Sequence, residues 1–266
     1  MAINAPRDLV RALRPAQWAK NLLLAVPLLV GHQYKDTEKL LALLVAFVSF
    51  SVCASAVYIV NDLIDVSSDQ LHPVKRRRPF AAGLVTPRAG VAMVIALLTV
   101  GLLIAQLMLP TAFVIALLVY LALTTAYSFY FKSKMILDVI LLAGLYTHRI
   151  IAGGMAVDVT PTMWLLAFSG FIFLSLAFAK RYAELSQLQG QESFAAGRGY
   201  RAGDLDLVRS IGPAGGYLAV LVFCLYINTP DVQLLYHRPV ILWFIVPVLL
   251  YWITRIWFVA QRGALQ

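Results

Sequence analysis

The 266-residue sequence predicts an all-α fold, an integral membrane helical bundle. Three observations predict it. First, 61% of the residues are apolar and 13% charged, with a mean hydropathy of +0.80. A soluble domain carries about 25% charged residues. Second, the apolar residues fall into eight runs. Most approach the roughly 20 residues that a membrane-crossing helix needs, and none shows the ten-residue alternation of a barrel. Third, Lys and Arg gather at alternate ends of those runs, the asymmetry that places basic loops in the cytoplasm.

Taken in order, residues 1–20 read as an interfacial amphipathic segment. Arg7, Asp8, Arg11 and Arg14 are mixed with Leu9, Val10 and Leu13, and Trp18 supplies an aromatic anchor. This is not the basic tip and cleavable apolar core of a signal peptide. Spans are expected at about 19–32, 39–60, 89–108, 111–130, 136–157, 162–180, 213–229 and 239–259. The first is short and contains Pro27, so it borrows length from the segment before it. Long loops, 61–88 and 181–212, follow the second and sixth spans. Of the 22 Lys and Arg, only Lys35, Lys39, Arg238 and the intramembrane Arg149 fall away from the side that carries these loops. That side is expected to be cytoplasmic and to hold both termini, with residues 1–266 forming a single transmembrane domain of a bacterial inner membrane. The net charge of +9 then serves orientation and phosphate groups rather than nucleic acid. Cys53 and Cys224 lie inside apolar runs, lack metal or redox spacing, and read as packing residues.

The polar residues point to chemistry at that side. Asp62, Asp65 and Asp69 are spaced i, i+3, i+7, one face of a helix. Three carboxylates on one face repel each other unless a cation sits among them, and oxygen-only donors suit Mg2+. Asn61 adds a neutral oxygen. The next segment, His72-Pro-Val-Lys75-Arg76-Arg77-Arg78-Pro79, serves in part as a positive anchor. Its Lys75 and Arg78, set against a metal, make a two-sided grip on a diphosphate. Three further clusters close the same side: Arg14, Lys20 and Asn21; Tyr127 and Lys132; and Lys180, Arg181, Tyr182 and Glu184. Each alone reads as an interfacial anchor. Together they read as one anion-binding site, with a phosphate-binding set of Arg14, Lys20, Asn21, Lys75, Arg78, Tyr127, Lys132, Arg181 and Glu184. Arg149, inside the fifth span, is costly and so is a functional candidate, or else a structural partner of Asp138. His148 reads as packing or hydrogen bonding. Gly153 and Gly154 permit close helix approach.

Asn61-Asp-Leu-Ile-Asp-Val-Ser-Ser-Asp69 and the downstream run from His72 to Gly83 resemble the N-D-x-x-D-x-x-x-D and H-P-x-K-x-x-R-P-x-x-x-G motifs of the UbiA superfamily of intramembrane prenyltransferases. The resemblance covers nearly the whole chain. It implies nine spans, one more than counted, around a cavity open to the cytoplasmic face. It also implies Mg2+ held by Asn61, Asp62, Asp65 and Asp69 on a substrate diphosphate. The family's second D-x-x-x-D motif is replaced here by Lys180-Arg181-Tyr182-Ala183-Glu184, with one acid. That departure resembles the branch that moves phosphoribosyl from phosphoribosyl diphosphate to a polyprenyl phosphate. In that branch Asp62, Asp65, Asp69, Lys180 and Tyr182 would be catalytic, and Lys75, Arg78 and Arg181 would meet phosphate. The expected partners are a polyprenyl lipid, a diphosphate-bearing donor and membrane lipids. Two alternatives stand beside this reading. One is prenyl transfer from a polyprenyl diphosphate to an aromatic or other acceptor. The other is a lipid or ion transporter, although transporters place their sites near the midplane.

Overall fold

The computed structural model describes residues 4–186 and 199–263. Every regular element among them is helical. Seven helices are long and apolar enough to cross a membrane. The chain divides into two compact units, Met1–Ser128 with His148–Thr160, and Phe129–Thr147 with Pro161–Gln266.

The first unit is built on α3, Thr37–Ile64, after two short helices, α1 (Pro6–Ala12) and α2 (Val26–Val30). Asp36 caps α3, its carboxylate accepting from the amides of Glu38 and Lys39 at 3.0 and 3.2 Å. Such a cap satisfies amides that a helix start leaves open. A six-residue helix, α4 (Val66–Leu71), continues from it. Thr86 caps the next span, α5 (Pro87–Met108), and Pro87 stands in its first turn, where no amide is missed. α3 and α5 approach closely at Gly101. A Cβ there would lie 2.5 Å from Cys53 Sγ, and Ser49 donates to the Gly101 carbonyl at 2.8 Å. Small residues give this approach in the absence of a hydrophobic drive between helices in lipid. α6 (Thr111–Phe129) and the second half of α7 (Leu137–Val157) complete the unit.

The expected first span takes a different form. Residues Pro15–Ala25 wind as a 3₁₀ helix, and α2 adds five residues. A 3₁₀ turn is thinner and longer per residue, so the two segments together rise roughly 30 Å, about a hydrocarbon-core thickness. The segment presses on α7. A Cβ on Gly153 would stand 2.0 Å from the Leu24 carbonyl oxygen.

The second unit packs α8 (Met163–Ser186), α9 (Leu205–Ile227) and α11 (Ile245–Gln261), with α10 (Pro230–Leu235) before the last. α11 is preceded by 3₁₀ turns from Pro239 to Phe244. α9 begins eight residues before the expected 213 because Leu205 and Val208 are buried on its inner face. Pro213 therefore lies inside the helix rather than at its start. Gly212 and Gly216 receive Trp257 and Ile253; a Cβ on Gly212 would stand 2.0 Å from the Trp257 ring. Trp257 Nε1 donates to Ser175 Oγ at 3.1 Å.

Candidate active site

In the first unit, the chain's acidic motif straddles a helix junction. α3 ends at Ile64, Asp65 joins it to α4, and Asp69 lies in α4. The amides of Asp65 and Asp69 still bond to the carbonyls of Asn61 and Asp65, at 3.0 and 2.8 Å. The turn is thus carried across the junction, and Asp62 and Asp69 reach a common partner. Arg78 Nη1 lies 3.2 Å from Asp62 Oδ1 and 2.5 Å from Asp69 Oδ2. Arg14 also donates to Asp62 Oδ1. Asp62 and Asp69 are 2% and 3% exposed, and Asp62 Oδ2 is buried without a hydrogen-bond partner. Asn61 and Asp65 are half-buried beside them.

Local structure explains how the two arginines arrive. The His72 ring accepts from the amides of Val74 and Lys75 at 3.2 and 3.3 Å, which turns the chain into a 3₁₀ coil at Lys75–Arg77. Lys75, Arg76 and Arg77 are exposed there, while Arg78 points back onto the acids. Arg14 has left-handed backbone, φ 52°, at the entry to the Pro15–Ala25 coil. Non-glycine residues rarely adopt this conformation. Its guanidinium stands 5.8 Å over the Tyr58 ring. Trp18 Nε1 donates to Ser55 Oγ at 2.9 Å and Ser55 to the Leu13 carbonyl at 2.9 Å, tying the coil to α3.

Among the described residues no three His, Cys, Asp or Glu are grouped to hold a metal. Mg2+ does not need such a cage. It binds through one or two carboxylates plus waters and substrate phosphates. Two buried carboxylates, one with an open oxygen, fit that donor set. Asp62 and Asp69 would hold the ion, with Asn61 and Asp65 alongside.

The remaining predicted residues of this unit fall differently. Asn21 is wholly buried. Its amide donates to Ser51 Oγ at 3.0 Å, and its oxygen accepts from Arg149 Nε at 3.0 Å. It bridges the coil, α3 and α7 rather than facing an open site. Arg149 is not partnered with Asp138, as the sequence had suggested. Its Nη2 donates to the Tyr120 hydroxyl at 3.2 Å, and it lies 5.6 and 5.0 Å from the Phe50 and Tyr120 rings. Eleven residues along a helix separate Arg149 from Asp138 by roughly 16 Å, too far for a pair. His148 Nε2 bonds to the Ala116 carbonyl at 2.8 Å. Lys20 and Tyr127 are half-buried, in the coil and at the end of α6.

In the second unit, Arg181 and Asp138 are both 0% exposed and pair at 2.9 Å. Arg181 also binds Glu184 on the next turn. The Tyr200 hydroxyl donates to Asp138 Oδ1 at 2.9 Å and accepts from the Ile136 amide at 2.9 Å. Ile136 has φ 69°, a conformation a β-branched residue adopts only when its surroundings hold it there. Burial pushes the Tyr200 hydroxyl pKa up. Arg181, expected on phosphate, is therefore committed to two carboxylates, because a buried guanidinium must be paired. Tyr182 is buried in the apolar core, edge-on to Trp257 at 6.1 Å, rather than presented to solvent. Lys180 is exposed and Lys132 half-buried, in the 3₁₀ turn Phe131–Ser133. Nothing in the sequence signals Tyr200, and the partner it offers Asp138 as an alternative, Arg149, is not the one the structure shows, which is Arg181.

The fold and the buried carboxylate–guanidinium site define a polytopic helical membrane protein built to hold charge at the end of its spans. The chain belongs to the UbiA prenyltransferase family, whose model matches residues 22–265. Among its relatives, the nodulation protein NoeC of Azorhizobium caulinodans is 35% identical over 96% of this chain and 83% of its own length. An uncharacterized protein of Sinorhizobium fredii, y4nM, is 36% identical over 98% of this chain; the chain spans 51% of that protein. The decaprenyl-phosphate phosphoribosyltransferase of Mycolicibacterium smegmatis is 40% identical over 186 residues, 68% of this chain and 58% of the enzyme. The fold is similar to that of a UbiA homolog from Archaeoglobus fulgidus bound to GPP and Mg2+. That comparison has a TM-score of 0.71 at 18% identity and covers 95% of this chain and 86% of the other.

Proposed function

We propose that this chain transfers a phosphoribosyl group from phosphoribosyl diphosphate to a polyprenyl phosphate at the cytoplasmic face of a bacterial inner membrane. The observation that carries the reading is the 40% identity to a decaprenyl-phosphate phosphoribosyltransferase. The charged grouping of the first unit supports it. It joins two buried carboxylates to Arg78 and Arg14. Among the described residues, Asp62 Oδ2 is a buried carboxylate oxygen with neither a hydrogen bond nor a salt bridge. One acidic pole and basic side chains suit a donor with a diphosphate and a separate 5-phosphate.

The chemistry asks little of the protein. A lipid phosphate oxygen is already anionic, so it attacks the anomeric carbon without a general base. The new bond joins that oxygen to the carbon, and the bond to diphosphate breaks with its electron pair leaving on oxygen. Asp62 and Asp69 would hold a divalent cation, which would supply charge neutralisation to the departing group. Arg78 and Lys75 bind and orient phosphates, and Arg14 holds Asp62 in place. The competing reading is prenyl transfer, favoured by the GPP found in the A. fulgidus homolog.

Incubating the purified protein with Mg2+, labelled phosphoribosyl diphosphate and a polyprenyl phosphate, and in parallel with prenyl diphosphates and an aromatic acceptor, separates the two. Diphosphate release from the first donor alone is expected. Release from prenyl diphosphates alone would replace this reading with prenyl transfer.

A further inference from the structure

We propose that Arg78 is a resident counter-cation which a divalent metal must displace, so that metal capture and diphosphate capture are coupled through one side chain. The inference rests on the diphosphate-transfer reading and deepens it.

Asp62 and Asp69 are almost wholly buried, and two carboxylates that close to apolar packing require positive charge beside them. Arg78 supplies it with a single nitrogen, Nη1, in reach of both. That is where a hard cation shared by the two acids would compete. Arg14 is held differently. Among the described residues its one carboxylate partner is Asp62; it also stands over the Tyr58 ring and belongs to the backbone entry of the coil. Arg78 comes instead from the exposed turn after Lys75–Arg77, and its side chain is 29% exposed. Asp62 Oδ2 is buried with no hydrogen-bond partner, so Asp62 has an oxygen to offer a cation without releasing Arg14. Asp69 Oδ2 is the atom that Arg78 grips.

An ion held by Asp62 and Asp69 would therefore take the place of Arg78. Like charges cannot share that space, and a guanidinium released beside a metal-bound diphosphate has phosphate oxygens as its new partners. Metal alone must overcome the Arg78 pairs, whereas metal with diphosphate exchanges them for others. By linkage, each ligand then tightens the other. Arg78 thus keeps the buried acids neutralised between turnovers and disfavours metal capture without donor.

The test measures Mn2+ binding to the purified full chain in detergent by EPR, without and with inorganic diphosphate. Wild type is compared with Arg78→Met and Arg78→Lys. For Mn2+ alone, Arg78→Met is expected to bind roughly ten-fold tighter than wild type, and Arg78→Lys to fall between them. The tightening by diphosphate is expected to be largest in wild type and smallest in Arg78→Met. If Arg78→Met does not fold, the order of wild type and Arg78→Lys decides the matter. Equal or weaker Mn2+ binding in the variants, with unchanged coupling, overturns the proposal while leaving transfer intact if wild type still releases diphosphate. If no form binds Mn2+ and none releases diphosphate, the underlying reading fails with it.

Discussion

Replacing Arg181 by Met removes the cation paired with Asp138 in the wholly buried pair of the second unit. At 2.9 Å and an effective dielectric near 20, the gross attraction is about 6 kcal/mol. Much of it offsets desolvation, yet stranding one buried charge costs about 3–5 kcal/mol. The Tyr200 hydroxyl still donates to Asp138, which puts the expectation near the lower end, about 3 kcal/mol. Removing both charges, in Asp138→Asn with Arg181→Met, leaves a neutral amide in the same place. Most of the stability should return, because an apolar or neutral replacement of a whole buried pair is often nearly neutral. Unfolding in detergent, run as a double-mutant cycle, reads the coupling. The double variant also separates two roles for Arg181. If Arg181 is structural, stability and the KM for the donor recover together. If it binds phosphate, stability recovers and KM rises. A single substitution costing under about 1 kcal/mol, or a double variant as damaged as the sum, would refute the reasoning.

Other expectations follow from the same contacts. Gly153→Ala should lower stability by about 1–3 kcal/mol, because the Leu24 backbone at 2.0 Å cannot rotate aside. Gly144→Ala, with nothing within 4 Å, should be neutral or slightly stabilising in the same thermal melt. Asn21→Ala should cost about 1–3 kcal/mol by removing partners from Ser51 and Arg149, with the donor KM unchanged in the variant that remains folded. Tyr200 has a folded-state pKa raised by burial above its ordinary value. Its contribution to stability is therefore complete below about pH 10 and lost as pH rises further. Tyr200→Phe should flatten that alkaline slope in melts taken across pH.

The membrane spans were legible because hydropathy and length are local properties of the chain. Six expected runs, from 39–60 to 162–180 and again at 239–259, lie within the observed spans to within a few residues, apart from one overhang at each of several ends. α9 was not placed correctly, since Pro213 and the charges before it read as a loop. What makes Leu205–Gly212 helical is packing of Leu205 and Val208, a tertiary fact. The first span was legible as apolar, but nothing in its composition announces a 3₁₀ coil. That Asp62, Asp69, Arg78 and Arg14 lie together was legible because motif spacing and charge sign carry that information. Asn21, Arg181 and Tyr182 could not be resolved from anchors in the same way. A polar side chain next to a membrane boundary looks alike in sequence whether it faces a cavity or a buried partner. The partner of Arg181 depends on residues 43 positions earlier and on Tyr200, which no short window contains.

Diphosphate release as a function of Mg2+, in wild type and in Asp69→Asn, tests the central claim most directly. With phosphoribosyl diphosphate and polyprenyl phosphate present, the wild-type rate should rise with Mg2+, saturate, and stop on chelation. Asp69→Asn should fall by at least about 100-fold while its thermal melt stays close to wild type. Wild-type turnover in Asp69→Asn, or release indifferent to chelation, would contradict the assignment of these buried acids to the departing diphosphate.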